Sequence, residues 1–468
     1  MSTSRIDVDL FALGHNLGVV RKVLSGEAGA TPEGPRSPSK RPPGICAVVK
    51  QDAYGLGAVR VARRLVACGV DMLAVYSLEE ARALVEASIV TPILVLMPVW
   101  SMDRGDPAYR HAVAGKLHLT VHDTDQLASI SDICGKLGTA MPLHVQVDTG
   151  LARGGALPQV AEGILETIVR SPRLRLGGLM THFASPCGDP EFTREQARLF
   201  RDWVERMKPM LAGSINPRVD GAPGLYIHAA NSCAVFRSNK YHGNLVRVGQ
   251  CLHGFALEDA DEREASEFAA AASTLKHVVR WTSSVVHVKE IPTGHPVGYG
   301  STWRAARPTR IALVPVGYAD GYPRLLSSGA FVGLSGRPWE RTGTTSAPGA
   351  DLTAMREGPA KMQYVPVVGR VSMDQITIDV TDLPESMVRV GSEVEIAGSD
   401  RSAPNSMLKL AEGSQSIVHE QLCRIGARVE RAYRLTTSSS GGGELSQQVH
   451  VLPDRTAQIA QTTKAAAG

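Results

Sequence analysis

The sequence lacks most of the features that would place it in a specialised class. No apolar stretch is long enough to span a bilayer. The start, Met-Ser-Thr-Ser-Arg-Ile-Asp-Val-Asp, lacks the apolar core of a secretory signal. The expected location is therefore the cytoplasm, with no membrane partner. Formal net charge is only +4 over 468 residues, and no basic run is interleaved with aromatics, so nucleic acid is not an expected partner. The seven cysteines are scattered and contain no Cys-x-x-Cys pair. An odd, dispersed set argues for reduced thiols, against a disulfide framework and against a zinc site, so no metal is expected. No Gly-x-Gly-x-x-Gly follows a first strand, which weakens a dinucleotide-binding reading.

What is present suits a large globular enzyme. Hydrophobic residues make up 43% and charged residues 21%, enough for a sizeable core. The length calls for more than one domain. The short apolar run 45–49 reads as a buried strand, and it is followed at once by Lys50. Gln51-Asp52-Ala53-Tyr54-Gly55-Leu56-Gly57 then forms a turn with two glycines, and 59–68 reads as a helix. A lysine where a buried strand meets its loop is costly unless its charge is used or neutralised. Carbonyl chemistry is one use, because a desolvated amine forms a Schiff base more readily. The other reading is a lysine that snorkels to solvent.

Along the chain, 6–10 reads as a short half-exposed strand and 11–24 as an amphipathic helix. Residues 29–44, rich in proline, read as an inserted surface loop. Strands and helices then alternate. Candidate strands are 45–49, 72–76, 93–97, 117–121, 143–148, 174–182, 225–230 and 245–249. Helical patterns between them include 78–87, 123–137, 160–169 and 191–210, while the link 230–245 is too short to promise a helix. Eight alternating units predict an α/β fold, a (β/α)8 TIM-like barrel over 1–270. From 278 onward, short β-like runs at 278–286, 311–316, 364–371, 376–380 and 394–397 predict a mostly-β domain over 271–435. It carries an insertion at 335–361, and a low-complexity tail fills 436–468.

Barrels of this kind carry catalytic groups at the C-terminal ends of their strands. Several strand ends here are polar: Lys50 and Tyr54; Asp148-Thr149-Gly150-Leu151-Ala152-Arg153; Thr181-His182-Phe183; His228-Ala229-Ala230-Asn231-Ser232; and Arg247-Val248-Gly249. Each alone has a bland reading as a core histidine, a surface arginine or a turn residue. Their shared placement at one rim makes the set informative. Loops after the seventh and eighth strands often hold phosphate. Ser232 offers a hydroxyl, and Gly249 lets backbone amides approach closely. A phosphate cradle beside an imine-forming lysine predicts a phosphorylated aldehyde cofactor, and pyridoxal 5'-phosphate fits both parts.

The β domain adds Val297-Gly298-Tyr299-Gly300-Ser301, Gly317-Tyr318-Ala319-Asp320-Gly321, and Gly369-Arg370 with Met373-Asp374-Gln375. With Ala47-Val48-Val49-Lys50 and Asp52-Ala53-Tyr54-Gly55, this ordered set resembles the alanine racemase family, the fold-type III enzymes that use pyridoxal phosphate. The resemblance runs from about residue 5 to 435, apart from the two insertions. It implies that Lys50 holds the cofactor as a Schiff base and acts as base on one face of the substrate α-carbon. Tyr299 is the implied base on the other face, contributed by a second subunit, so a homodimer with shared active sites is expected. Arg247 is implied to face the pyridine nitrogen, with His228 and His182 supporting the arginine and the ring. Tyr54, Asn231, Ser232, Gly249 and Gln250 match the cofactor-binding set. Arg153 matches the contact to the cofactor's phenolic oxygen and the substrate carboxylate. Met373 matches a backbone donor to that carboxylate, and Tyr318 a residue narrowing the entrance.

Two departures stand out. Gln146 lies where many members have a lysine, often carbamylated, that positions the matching arginine; the amide is expected to bond Arg153 directly or to leave room for an anion. Ala427 lies near a tyrosine of some members, which keeps a broader amino-acid racemase open as an alternative. A fold-type III decarboxylase fits the Arg247 and Tyr299 motifs less well. A non-catalytic cofactor carrier would resemble the barrel alone. The expected function is interconversion of L- and D-alanine for peptidoglycan supply.

Overall fold

The structure is a computed structural model, and it describes residues 4–27, 42–212, 224–258, 266–338 and 362–435. Most of the expected insertions and the whole tail fall outside the described residues. The chain divides into two compact units, Ala12–Lys276 and a second made of Met1–Phe11 with His277–Gly468.

The first unit holds eight parallel strands: β2 (Gly44–Val48), β3 (Met72–Val75), β4 (Ile93–Val95), β5 (Leu117–Val121), β6 (Pro142–Gln146), β7 (Arg175–Met180), β8 (Tyr226–His228) and β9 (Leu245–Val248). Their order is β8-β7-β6-β5-β4-β3-β2-β9. The two end strands approach each other, with Asn244 N donating to Ile227 O at 3.0 Å and Arg247 N to Ala230 O at 2.9 Å. The sheet is thus a nearly closed TIM-like barrel, as the alternation predicts. Parallel strands are covered on both faces, which is why several read as unbroken apolar runs; β3 and β4 are apolar and buried throughout.

Some of the surrounding helices start on side-chain caps. Asp123 accepts from Gln126 N at 2.8 Å at the start of Thr124–Leu137. That helix buries Leu127, Ile130, Ile133, Cys134 and Leu137 at helical spacing and ends at Gly138, whose φ is +73°. The link between β8 and β9 departs from expectation. It contains the helix Ser232–Arg237, nucleated by Asn231, whose side chain accepts from Ala234 N at 3.1 Å.

The second unit is mostly β, with strands β10 (Val279–Ser284), β11 (His287–Ile291), β12 (Pro296–Val297), β13 (Trp303–Arg304), β14 (Thr309–Val314), β15 (Phe331–Pro338), β16 (Gln363–Pro366), β17 (Ile376–Asp379), β18 (Ser392–Ala397) and β19 (Glu430–Arg434). Strand β15 runs into the start of the segment expected to be an insertion. The N-terminal strand β1 (Ser4–Asp9) belongs to this unit's six-stranded sheet, in the order β16-β15-β18-β10-β1-β19. It pairs antiparallel with β10 and parallel with β19. With neighbours on both edges it is buried, not half-exposed. Asp7 on this strand is clamped by Arg5 at 3.0 Å and by Arg434 of β19 at 2.9 Å.

The expectation of reduced thiols fails at one pair. Cys187 and Cys233 form a disulfide across 46 residues of sequence. Sequence spacing carries no sign of it, because pairing depends on Cα atoms meeting in the fold, here 6.0 Å apart. The bridge ties the loop after β7 to the helix that begins at Ser232. A closed loop of this length restricts the unfolded chain by about 2–4 kcal/mol. Replacing both cysteines with serine is expected to lower the unfolding free energy by about that amount in urea titrations. An unchanged midpoint would show that the bridge contributes nothing.

Candidate active site

Lys50 follows β2 directly, and the turn after it has an uncommon backbone. Gln51, Asp52, Ala53 and Tyr54 all have positive φ, between 51° and 61°. This is one turn of left-handed helix made without glycine. Such a conformation costs roughly 1–2 kcal/mol per residue, so roughly 4–8 kcal/mol is held here by the surroundings. The restraints are specific. Ala53 N donates to Val49 O and Gly57 N to Asp52 O, both at 2.9 Å. Ala58 N donates to Asp52 Oδ1 at 2.6 Å. The Glu80 carboxylate accepts from Gln51 N and Tyr76 N, each at 2.6 Å.

The turn sets Tyr54 against Gly249. A Cβ at Gly249 would lie 2.2 Å from the Tyr54 hydroxyl, so any larger residue there would displace the tyrosine. Ser232 Oγ accepts from Gly249 N at 3.1 Å and from Cys251 N at 3.2 Å. Gln250 opens the 3-10 turn Gln250–His253, and the Tyr54 and His253 rings pack 4.8 Å apart. Two hydroxyls, a bare glycine and backbone amides thus converge in a cradle that suits a phosphate-sized anion.

Arg247 points from β9 into the barrel and is buried. Its NH1 donates to His228 Nδ1 at 2.8 Å and His228 O at 3.1 Å. Its NH2 donates to Thr181 O at 2.7 Å, His182 Nδ1 at 3.2 Å and Ala229 O at 3.3 Å. Burial pushes the guanidinium down to about 10, so it stays charged at neutral pH. Burial also pushes His182 down to about 3, with Arg247, Arg153 and Lys50 acting in the same direction. Those influences mark Lys50, Arg153, His182 and Arg247 as one electrostatic cluster. Beside it, burial pushes the Cys46 thiol up to about 12, so it stays neutral.

Arg153 sits on a loop that Asp148 organises. Asp148 Oδ1 accepts from Gly150 N at 2.9 Å and Leu151 N at 3.0 Å, and its Oδ2 accepts from Ala152 N at 3.0 Å. Gln146 does not bond Arg153. Its amide donates to the carbonyl of the next residue, Gly154, at 2.7 Å.

In the β unit, the three motifs come together. A Cβ at Gly298 would lie 2.9 Å from Arg370 N, and one at Gly317 would lie 2.3 Å from Met373 O. Tyr318 N donates to Ser372 O at 3.1 Å. Asp320 is buried and bound by Arg428 at 2.6 Å, which also reaches Asp374 at 2.8 Å. Tyr299, Tyr318 and Met373 are exposed by 73%, 44% and 53% of their surfaces. Ala427 is exposed beside Arg428.

Residues 36–256 match the alanine racemase N-terminal domain, and 278–348 with 349–433 match its C-terminal domain. The chain belongs to the alanine racemase family. It is similar to an alanine racemase of Halothermothrix orenii, 32% identical over 92% of this chain and 96% of that one. One from Sorangium cellulosum is 34% identical, covering 93% of this chain and 100% of the other. The crystal structure of an alanine racemase from a D-cycloserine-producing Streptomyces lavendulae aligns with a TM-score of 0.71 at 26% identity, over 93% and 98% of the two chains.

Three supporting residues had escaped the sequence reading. Glu80 acts on backbone amides, which no motif announces. His118 and His144 lie inside β5 and β6, where Leu-His-Leu and Leu-His-Val were available as signals of an inward-facing polar group. Both rings are buried. Burial pushes His118 down to about 3 and holds His144 and His228 well below the usual imidazole range.

These histidines give the protein a pH-dependent stability. In the unfolded chain each binds a proton near pH 6.5; in the folded chain each refuses it. Their stabilisation is complete above pH 6.5 and is lost as the pH falls, by up to about 1.4 kcal/mol per group per pH unit. Urea midpoints are expected to hold from pH 8 to 7 and drop steeply toward pH 5. A midpoint flat down to pH 5 would contradict neutral buried imidazoles.

Proposed function

We propose that the chain interconverts L- and D-alanine with pyridoxal 5'-phosphate and two bases. The observation that supports this best is the cluster of Lys50, Arg153, His182 and Arg247 beside the Tyr54–Ser232–Gly249 cradle. The residues fit the cofactor: an amine for its aldehyde, a cradle for its phosphate and a buried cation for its ring nitrogen. When bound, pyridoxal phosphate supplies an electron-withdrawing ring that acidifies the substrate α-carbon.

The chain's own groups do the rest. The Lys50 amine takes or returns a proton on one face of the α-carbon. The Tyr299 phenol of a second copy serves the other face, in a head-to-tail homodimer. A phenol that is 73% exposed on its own unit is available for that task. Two bases on opposite faces are what inversion needs, since one removes the proton and the other delivers one from behind. Arg153 holds the substrate carboxylate with the Met373 amide, and Tyr318 narrows the entrance. Arg247 is a donor only, so it leaves the ring nitrogen unprotonated and restrains side reactions such as transamination. The reaction fits a cytoplasmic supply of D-alanine for peptidoglycan. Among the described residues no helix is long and apolar enough to cross a membrane.

A broader amino-acid racemase is the second reading, favoured by the missing ring at Ala427. A racemisation assay over a panel of L-amino acids separates the two. Alanine is expected to turn over fastest; a faster rate with serine or lysine would sink the alanine assignment. In the same assay Lys50→Ala is expected to abolish turnover. Tyr299→Phe is expected to slow it by about 10²–10⁴-fold, the usual worth of a positioned acid or base, with a bias toward one enantiomer.

A further inference from the structure

Arg247 is the end of a longer chain of groups. His228 Nε2 lies 2.8 Å from His144 Nδ1, and His144 Nε2 lies 2.8 Å from His118 Nδ1. With Arg247 NH1 at 2.8 Å from His228 Nδ1, three imidazoles and a guanidinium form one line of hydrogen bonds through the barrel interior. We propose that His144 and His118 are positioning residues which, through His228, fix the orientation and charge of Arg247. The proposal rests on the functional reading only for what Arg247 faces.

The direction of every bond follows from one fact: arginine only donates. His228 Nδ1 must therefore accept, so a neutral His228 carries its hydrogen on Nε2. That hydrogen goes to His144 Nδ1, which puts the His144 hydrogen on Nε2. His118 Nδ1 accepts it, and the His118 hydrogen is on its own Nε2. The reverse polarity would leave His228 with two acceptor nitrogens and no proton, an imidazolate. All three rings are then aligned with their lone pairs toward Arg247. Aligned dipoles of this sense stabilise a buried cation without introducing a carboxylate.

The barrel makes room for this line at a visible cost in sequence. Strand β7 contains Gly177-Gly178, a pair that weakens a strand and signals a close approach. A Cβ at Gly178 would lie 2.4 Å from His144 Nδ1 and 2.8 Å from its Cε1; one at Gly177 would lie 3.2 Å from His144 Nε2. The Tyr226 ring stacks on His144 at 16° and 5.9 Å and fixes the ring plane. The His144 ring is thus boxed between bare backbone, an aromatic face and two imidazoles.

Two measurements test the proposal. In the full chain without added cofactor, labelled with 15N-histidine, long-range 15N–1H spectra report each tautomer. His118, His144 and His228 are expected as neutral Nε2–H forms from pH 6 to 9, with His118→Asn and His144→Asn used to identify the signals. A neutral Nδ1–H form or an imidazolium at His144 or His228 would overturn the proposal. In the enzyme loaded with pyridoxal phosphate, His144→Phe removes the acceptor for His228. It is expected to lower kcat about tenfold with KM changed less than twofold, and to displace the visible band of the bound cofactor. His144→Asn, whose Oδ1 can replace Nδ1 as acceptor, is expected to restore both. Equal damage by Phe and Asn, or no damage by either, would refute a positioning role. If the Phe variant does not fold, the wild-type spectra still decide. Correct tautomers in a chain that racemises nothing would sink the proposed function and leave the relay standing; an active enzyme with the wrong tautomers would do the reverse.

Discussion

A guanidinium buried without a carboxylate is the constraint on which the barrel interior depends. Among the described residues, all five acceptors around Arg247 are carbonyl oxygens or imidazole nitrogens. An unpaired buried charge is costly, and neutral acceptors offset that cost only if each presents a lone pair in the right place. Thr181 O, His228 O and Ala229 O do so because they sit at the ends of adjoining strands. His182 and His228 do so because they stay neutral. The result is a cation whose charge is not cancelled locally and whose field extends into the cluster with Lys50 and Arg153.

Lys50 depends on a second constraint, of backbone and not of charge. The left-handed turn at 51–54 is unfavourable by itself and persists through the Glu80 and Asp52 carboxylates and through packing. Its effect is geometric. A right-handed continuation of β2 would carry Tyr54 elsewhere; the left-handed one brings its hydroxyl to Gly249 within a few residues of Lys50. Strain stored beside Lys50, the proposed base, fits the general association of unusual backbone with functional sites.

Much of this was legible in the sequence, for a physical reason. Parallel barrel strands are buried on both faces, so runs such as Met72–Val75 stand out as continuous apolar segments. Polar residues at their C-terminal ends stand out for the same reason, and they formed the candidate rim. Strand β11 was missed because its exposed pattern leaves few apolar residues to signal it. The helix after Asn231 was missed because a short helix owes its existence to a cap. The left-handed turn was invisible, since residues 51–54 contain no glycine to advertise positive φ. The disulfide and the histidine line are tertiary facts: Cys187 meets Cys233, and His118 meets His144, only once the barrel has formed.

The position of β1 bears on how the molecule is made. It lies between β10 and β19, so the first described strand has its parallel partner at 430–434, almost the last described segment. At ribosomal rates of roughly 5–20 residues per second, that partner emerges roughly 20–90 s after β1. The barrel unit, Ala12–Lys276, is complete long before then. During synthesis the nascent chain therefore carries a strand with an unmatched edge. It must be shielded by a chaperone, or held by its own neighbours, until the far end of the chain arrives.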